Sequence, residues 1–321
     1  MGTFIARRLL YSIPVLVAAT MLVFFGMTAV TDPISQIRLT PNVSQSTIDN
    51  IIQRKHLDEP LIAQYGFWVK DVFVNQFGTT ALGDKPIWPD LSRAIGNTMQ
   101  LVFVSELIAV VLAVILGVFS AKKQYSFFDY ATTTISFFGF SVPIFWFALI
   151  LQALATAFFL KTGIRLVYTF GQSSFAPENA FLDRIQHMVL PVVTLSYVSI
   201  ATYSRYQRAS MLEVLHSDYV RTARAKGVKE RVVTMKHALR NAMIPVVTIA
   251  ALSFGAVLGG AVITETIFAW PGMGKLFIDA LNRGEVFTLM AWLMVTAVAV
   301  VIANLVADIV YGWLDPRIRY D

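Results

Sequence analysis

Between two long apolar stretches lies the segment Asp218 to Pro245, DYVRTARAKGVKERVVTMKHALRNAMIP, which gathers Arg221, Arg224, Lys226, Lys229, Arg231, Lys236 and Arg240 into a short run. Residues of this kind do not make or break bonds. They place positive charge where a membrane protein keeps its inside loops, and they offer a surface for docking. Gly227 divides the segment. Tyr219 to Lys226 is composed of helix formers and small residues, with Ser217 or Asp218 available as an N-cap, and Lys229 to Leu239 resumes helical composition. A glycine at the division can take the left-handed conformation that other residues resist, and Ala223 and Ala225 let another surface approach closely. The pattern is helix, turn, helix. Read on charge alone, the same segment is an ordinary positive-inside loop with no partner.

Polar residues inside apolar runs are the second place where chemistry can reside, because charge in hydrocarbon is costly and faces protein or water. Glu106 lies about 10 Å along a helix from Met99 at 1.5 Å per residue. It is a candidate for contact with a passing amine, and equally for a protonated or hydrogen-bonded structural acid. Gln152 and Tyr197 are candidates of the same kind. Asn304 and Asp308, one helical turn apart, suit a structural network. Gly255 and Gly259 form a GxxxG pair, suited to close helix contact either within the chain or at a dimer seam.

Other chemistries are excluded or have no support. There is no cysteine, which rules out disulfides, iron–sulfur clusters and thiolate metal sites. His56, His187, His216 and His237 are scattered without metal-ligand spacing, so no metal site is expected. The run Pro271 to Lys275, PGMGK, lacks the glycine at 269 and the Ser or Thr at 276 that a phosphate-binding loop needs, having Ala269 and Leu276. No nucleophile, base and metal constellation emerges, so no catalytic residue is assigned.

The elements that carry these residues are membrane helices. With 56% hydrophobic and 14% charged residues and a mean hydropathy of +0.63, the 321-residue chain is far more apolar than a soluble domain. Spanning needs about 20 mostly apolar residues. Six stretches qualify: Leu9 to Val30, Met99 to Ala121, Ile135 to Leu160, Met188 to Tyr203, Met243 to Phe268 and Phe287 to Tyr311. An even count puts both termini on one side. With that side inside, fifteen of the 26 Lys and Arg residues fall in short inner segments, which predicts cytoplasmic termini. The same topology explains the net charge of +6 better than nucleic acid does. Arg7 and Arg8 precede a run too long for a cleaved leader, so a retained signal anchor is expected. Pro14 and Pro143 should kink the first and third spans.

The one sizeable polar region, Thr31 to Asn97, reads as a small external subdomain. Ser46 to Lys55 looks helical. After Pro60, residues Ile62, Tyr65, Trp68, Val69, Val72 and Phe73 are expected to form one apolar face. Gln76 to Leu91, rich in turn residues and prolines, reads as ordered loop.

The RTARAKG run from Arg221 to Gly227 and HALRNAMIP from His237 to Pro245 resemble the EAA loop of binding-protein-dependent ABC importers, in its peptide-importer version. Arg221 or Thr222 stands where many permeases have the eponymous glutamate, and the interval from Gly227 to Pro245 is longer than in the general form. The resemblance extends through QFGTTALGDKPIWPDL, SVPIFWFALIL, HMVLPVVTLS, ETIFAWPGMGKL and the closing VADIVYGWLDPRIR from Val306 to Arg319. It implies an all-α integral membrane protein with six transmembrane helices and the type I ABC importer permease fold. Its divisions would be an N-terminal helix (1–30), the external subdomain (31–97), a core (98–312) containing a cytoplasmic coupling loop (205–242), and a cytoplasmic tail (313–321).

By that resemblance Arg221, Thr222, Ala223, Arg224, Ala225, Lys226 and Gly227 couple the chain to ATPase subunits. Two such subunits would bind the ATP and magnesium, the chain itself holding no cofactor. A second homologous permease, an extracytoplasmic substrate-binding protein and membrane lipid complete the expected partners. The place is the bacterial cytoplasmic membrane, and peptides are the expected substrate. Nickel, glutathione or haem importers share the branch. An ion-coupled secondary carrier, with Glu106 and Asp308 as coupling acids, is the reading from a different class.

Overall fold

The computed structural model describes residues 2–38, 41, 43–81, 83–257 and 261–314. Its helices in chain order are α1 (Gly2–Val30), α2 (Ser35–Arg38), α3 (Gln45–Arg54), α4 (Leu61–Val74), α5 (Ile87–Lys122), α6 (Phe127–Ser141), α7 (Ile144–Thr162), α8 (Ala180–Leu215), α9 (Asp218–Ala225), α10 (Glu230–Val232), α11 (Leu239–Ala242), α12 (Ile244–Val257), α13 (Val262–Ile267), α14 (Met273–Arg283) and α15 (Val286–Leu314). A π-helical turn, Val233–Ala238, joins α10 to α11. Among the described residues there is no strand, only an isolated antiparallel bridge between Thr79 and Pro86.

Within α1, α5, α7, α8 and α15 lie stretches long and apolar enough to cross a membrane. Glu230–Ala242 and Ile244–Phe254, bent by 44°, make a sixth when taken as one broken span. The bend falls where Pro245, which has no N–H to donate, enters the first turn of α12.

Several elements depart from the sequence reading. The third apolar run does not continue through Pro143: α6 ends at Ser141, Pro143 (φ −59°, ψ 136°) caps α7, and α7 is the span. The proline breaks the helix instead of kinking it, because the residue before a proline is pushed to extended backbone, as Val142 is (φ −87°, ψ 120°). Pro14 does lie inside α1. The fifth run is divided too. α12 is described as far as Val257, Ala261 is not helical and α13 begins at Val262, while Gly259 of the glycine pair lies outside the described residues. The stretch read as loop to Leu91 turns helical at Ile87, and Pro89 is accommodated because the first turn needs no donor from it. α5 then runs for 36 residues, about 54 Å at 1.5 Å per residue, well beyond a hydrocarbon layer.

The Cα framework forms two compact units. The first holds residues to Met99, the 258–266 segment and Trp270–Ile302. Here Ser44 caps α3 by accepting from the Thr47 N–H. Trp68 of α4 is buried with Phe24 of α1 and with Val286 and Met290 of α15, flanked by Tyr65, Val69 and Val72. Tyr65 also shares a 2.9 Å hydrogen bond with the Thr20 hydroxyl. Ile62 and Phe73, expected on this face, are instead 80% and 76% exposed. The actual stripe is the narrower 65, 68, 69, 72 set that one helix face can present. Lys55 donates to the Thr79 carbonyl (2.6 Å) and hydroxyl (3.0 Å), and burial, opposed by Asp71, lowers its pKa.

Glu265, in the same unit, is fully buried. The Thr98 hydroxyl donates to its Oε1 (2.7 Å), and the N–H groups of Gly274 and Lys275 donate to Oε2 (2.7 and 3.2 Å). The carboxylate therefore satisfies donors in the first turn of α14, whose N-cap, Gly272, has no side chain to do so. Thr98 Oγ1 accepts from Met273 N (2.8 Å), Asn97 Nδ2 donates to the Pro271 carbonyl (2.8 Å), and Trp270 Nε1 donates to the Asn97 carbonyl (3.1 Å). The glycines of PGMGK are thus packing devices: a Cβ on Gly272 would lie 2.5 Å from the Glu265 carboxyl, and one on Gly274 would lie 2.5 Å from the Val262 Cα.

Two variants test this arrangement. Glu265→Ala is expected to cost about 1–3 kcal/mol by stranding buried donors. Gly274→Ala, pressed against backbone, is expected to cost about as much through overpacking. Thermal unfolding of the purified protein should place both midpoints below wild type.

Candidate functional site

The second unit is organised on α8, which packs against α6, α7, α11 and α12. Asn179 caps it by accepting from Phe181 N and Leu182 N. Glycines let its neighbours close in: a Cβ on Gly117 would lie 2.6 Å from the Gln207 Cβ, and one on Gly139 would lie 2.9 Å from the Ala201 Cβ.

Close to the C-terminal end of α8, Arg208 grips the buried Asp129 with two bonds, Nε to Oδ1 (2.5 Å) and Nη2 to Oδ2 (2.7 Å). Asp129 also accepts from Tyr125 N (3.0 Å), and its own N–H donates to the Ser126 hydroxyl (3.3 Å). The Ser126-x-x-Asp129 spacing is a helix-start signal legible in the sequence, whereas its pairing with Arg208, 79 positions on, was not. This fork locks the start of α6 to α8 just before the basic segment.

The basic segment itself is a compact structure. α9 runs from Asp218 to Ala225, and Gly227 follows with φ +75°, the left-handed conformation expected of it. Ser217 is the N-cap residue, but its hydroxyl donates backward to the Val214 carbonyl (2.6 Å) and caps nothing. Val220 and Ala223 point inward, into a cluster with Val118 and Ala121 of α5, Met211 of α8, and Val233, Ala238 and Ala242 beyond the turn. Arg224 crosses to Glu230 with two bonds (Nε 3.1 Å, Nη2 2.9 Å), and Asn241 Nδ2 donates to the Tyr219 hydroxyl (2.7 Å). α9 is therefore fastened to the rest of the loop on two sides. The π-helical turn behind it buries Val233, Thr234 and Ala238; such turns recur at functional sites because they re-aim a helix face.

Of the seven loop residues singled out, Arg221, Thr222, Arg224, Ala225, Lys226 and Gly227 are exposed, and Ala223 is not. The small outer face is thus smaller than the sequence suggested. Alanine at 223 serves the chain's own core, because a helix of eight residues presents 220 and 223 on one side and 221, 222 and 225 on others.

The candidates inside the spans are distributed differently. Glu106 accepts a hydrogen bond from the Tyr203 hydroxyl, and Tyr203 is buried among Ala109, Ala113, Val246 and Ala250, so this acid ties α5 to α8 beside α12. Gln152 Nε2 donates to the Thr169 carbonyl (2.9 Å) and the Ile267 carbonyl (3.1 Å). Tyr197 stacks on Phe147 at 4.2 Å and lines a cavity of about 110 Å³ with Thr132, Ser136 and Ala201. Gly255 lies in α12. No group of three or more His, Cys, Asp or Glu residues able to hold a metal occurs among the described residues.

Taken over its length, the chain is similar to known membrane transport proteins. A family model described as binding-protein-dependent transport system inner membrane component matches residues 113–320. The chain is 39% identical over 321 residues to the oligopeptide transport system permease protein AppB of Bacillus subtilis, covering 100% of both. It is 33% identical over 337 residues to the dipeptide transport system permease protein DppB of Escherichia coli (strain K12), covering 99% of this chain and 98% of the relative. Among solved structures, the inward-facing MetNI methionine ABC transporter in its CY5 native crystal form superposes with a TM-score of 0.56 at 15% identity, over 72% of this chain and 98% of that one. At that identity the likeness shows the fold.

The loop geometry separates two substitutions. Ala223→Glu places a carboxylate in an apolar cluster and is expected to cost at least about 2 kcal/mol, lowering the folded yield. Ala225→Glu, on the exposed side, is expected to leave the unfolding midpoint within a few degrees of wild type. Thermal denaturation in detergent distinguishes them.

Proposed function

The chain belongs to the family of binding-protein-dependent transport system inner membrane components, and from that premise we propose that it is the permease subunit of an ATP-driven importer of oligopeptides or dipeptides. The full-length identity to peptide permeases carries this reading. A second homologous permease would supply the other half of the pathway, and two ATP-binding subunits would hold the ATP and magnesium. An extracytoplasmic binding protein would deliver the peptide. Both termini and the α9 loop face the cytoplasm in this proposal, in keeping with the excess of Lys and Arg in those segments.

In mechanism, the exposed face of α9 with Gly227 docks on an ATPase subunit. Closure of the ATPase pair pushes α9, and Val220 and Ala223 pass the displacement to the ends of α5 and α8 packed against them. Asp129 and Arg208 carry it into α6. A rigid connection is what such coupling needs, since a flexible loop would absorb the motion. An ion-coupled carrier would need titrating acids open to the pathway; Glu106 is engaged by Tyr203.

Purification with the ATPase subunits in lipid nanodiscs tests the reading. ATP hydrolysis is expected to rise severalfold with peptide-loaded binding protein, and Gly227→Pro, which forbids a positive φ, is expected to abolish that rise while the complex still inserts. Uptake driven by an ion gradient without any ATPase would overturn it. Glu106→Gln is expected to leave uptake of peptides of differing charge unchanged, because the amide can still accept from Tyr203. Selective loss for peptides with free amines would make the carboxylate a substrate contact.

A further inference from the structure

In the second unit, α7 and the chain that follows it enclose a groove of about 460 Å³. One wall is the α7 face bearing Thr156, Phe159 and Leu160; the other is the returning loop with Arg165, Tyr168 and Phe170. The loop wall is fixed in place. Tyr168 stacks on His187 at 4.0 Å, its N–H donates to the Gln186 carbonyl (3.2 Å), and Gln152 holds the Thr169 carbonyl. The open side is apolar: Leu160 and Phe170 are 77% and 63% exposed.

Arg165 stands at the head of this groove. Its guanidinium lies 4.3 Å from the Phe159 ring centroid and 5.3 Å from that of Tyr168, which fixes its direction without neutralising it. It forms no ion pair among the described residues. Residues 151–177 contain Lys161 and Arg165 and no acid. α7 is 19 residues long, about 28 Å at 1.5 Å per residue, the thickness of a hydrocarbon layer, and of its residues Ala148 alone is buried. Gly163 (φ +70°) ends the helix, so Arg165, two residues on, sits at the boundary between hydrocarbon and water.

We propose that this groove binds one phospholipid with an anionic headgroup. Arg165 takes the phosphate, for which a planar guanidinium is matched. An acyl chain lies along the Thr156, Phe159 and Leu160 face. The complement of a cation above an apolar wall, with aromatic rings at the interface between them, is an amphipathic anion. The site is independent of which substrate is transported.

Native mass spectrometry of the full chain, purified with its co-purifying subunits and titrated with phosphatidylglycerol or phosphatidylcholine, tests the assignment. One phosphatidylglycerol per chain is expected to be retained in preference to phosphatidylcholine, and excess inorganic phosphate should not displace it. Arg165→Gln should weaken retention about tenfold. Thr156→Trp, which fills the groove and keeps the charge, should weaken it as well and carries the test if Arg165→Gln fails to fold. Equal retention by wild type and both variants overturns the proposal. So does displacement by phosphate with no effect of Thr156→Trp, which would mark a free-anion site, or no retained lipid in wild type.

Discussion

A carboxylate taken out of water must find its hydrogen-bond partners inside the protein, so every buried acid here depends on the groups packed around it. Glu265 is the fullest expression of that constraint here. Its carboxylate meets Thr98 and two backbone N–H groups at the start of α14, and the glycines of the turn leave room for it to do so. A charge that would be prohibitive alone becomes the piece that fixes where α14 begins. Asp129 obeys the same rule in the other unit, where Arg208 and the Tyr125 amide supply its partners. A buried pair of this kind adds little net stability over an apolar substitute, yet removing one partner is costly. Its consequence is registry between elements far apart in sequence.

The loop around Gly227 shows why registry matters to a transport protein. α9 is only eight residues long, too short to hold its helix in water unaided. Val220 and Ala223 seat it in a cluster shared with α5, α8 and the π-helical turn, and Arg224 and Asn241 fasten its sides. What is left exposed is a small, positively charged surface on a rigid base. Rigidity and exposure are both needed for a part that receives a push and passes it on, and the division of neighbouring residues between inward and outward faces provides them in two helical turns.

Legibility varied with the range of the interaction. The left-handed Gly227, the helix read at Ser46 to Lys55, and four of the six spans follow from backbone preferences and local hydrophobicity, and the sequence displays all of them. Pro143 was visible as a disruption, but whether it kinks or breaks a helix depends on whether neighbouring elements re-satisfy the freed backbone groups. Ile62 and Phe73 carried the right chemistry for the α4 face. Their exposure reflects how narrow a stripe one neighbouring helix can cover.

Composition and charge placement determined by themselves that this is a helical membrane protein with a basic loop set between apolar spans, because hydrocarbon length and charge bias act on each segment separately, and the run of motifs added its resemblance to permeases. Only the tertiary structure decided that Ala223 faces inward while Ala225 faces outward, that Glu106 is held by Tyr203, and that Glu265 caps α14 and Asp129 holds Arg208. Those pairings join residues from 9 to 97 positions apart, and no local preference encodes a partner that folding alone brings within hydrogen-bonding distance.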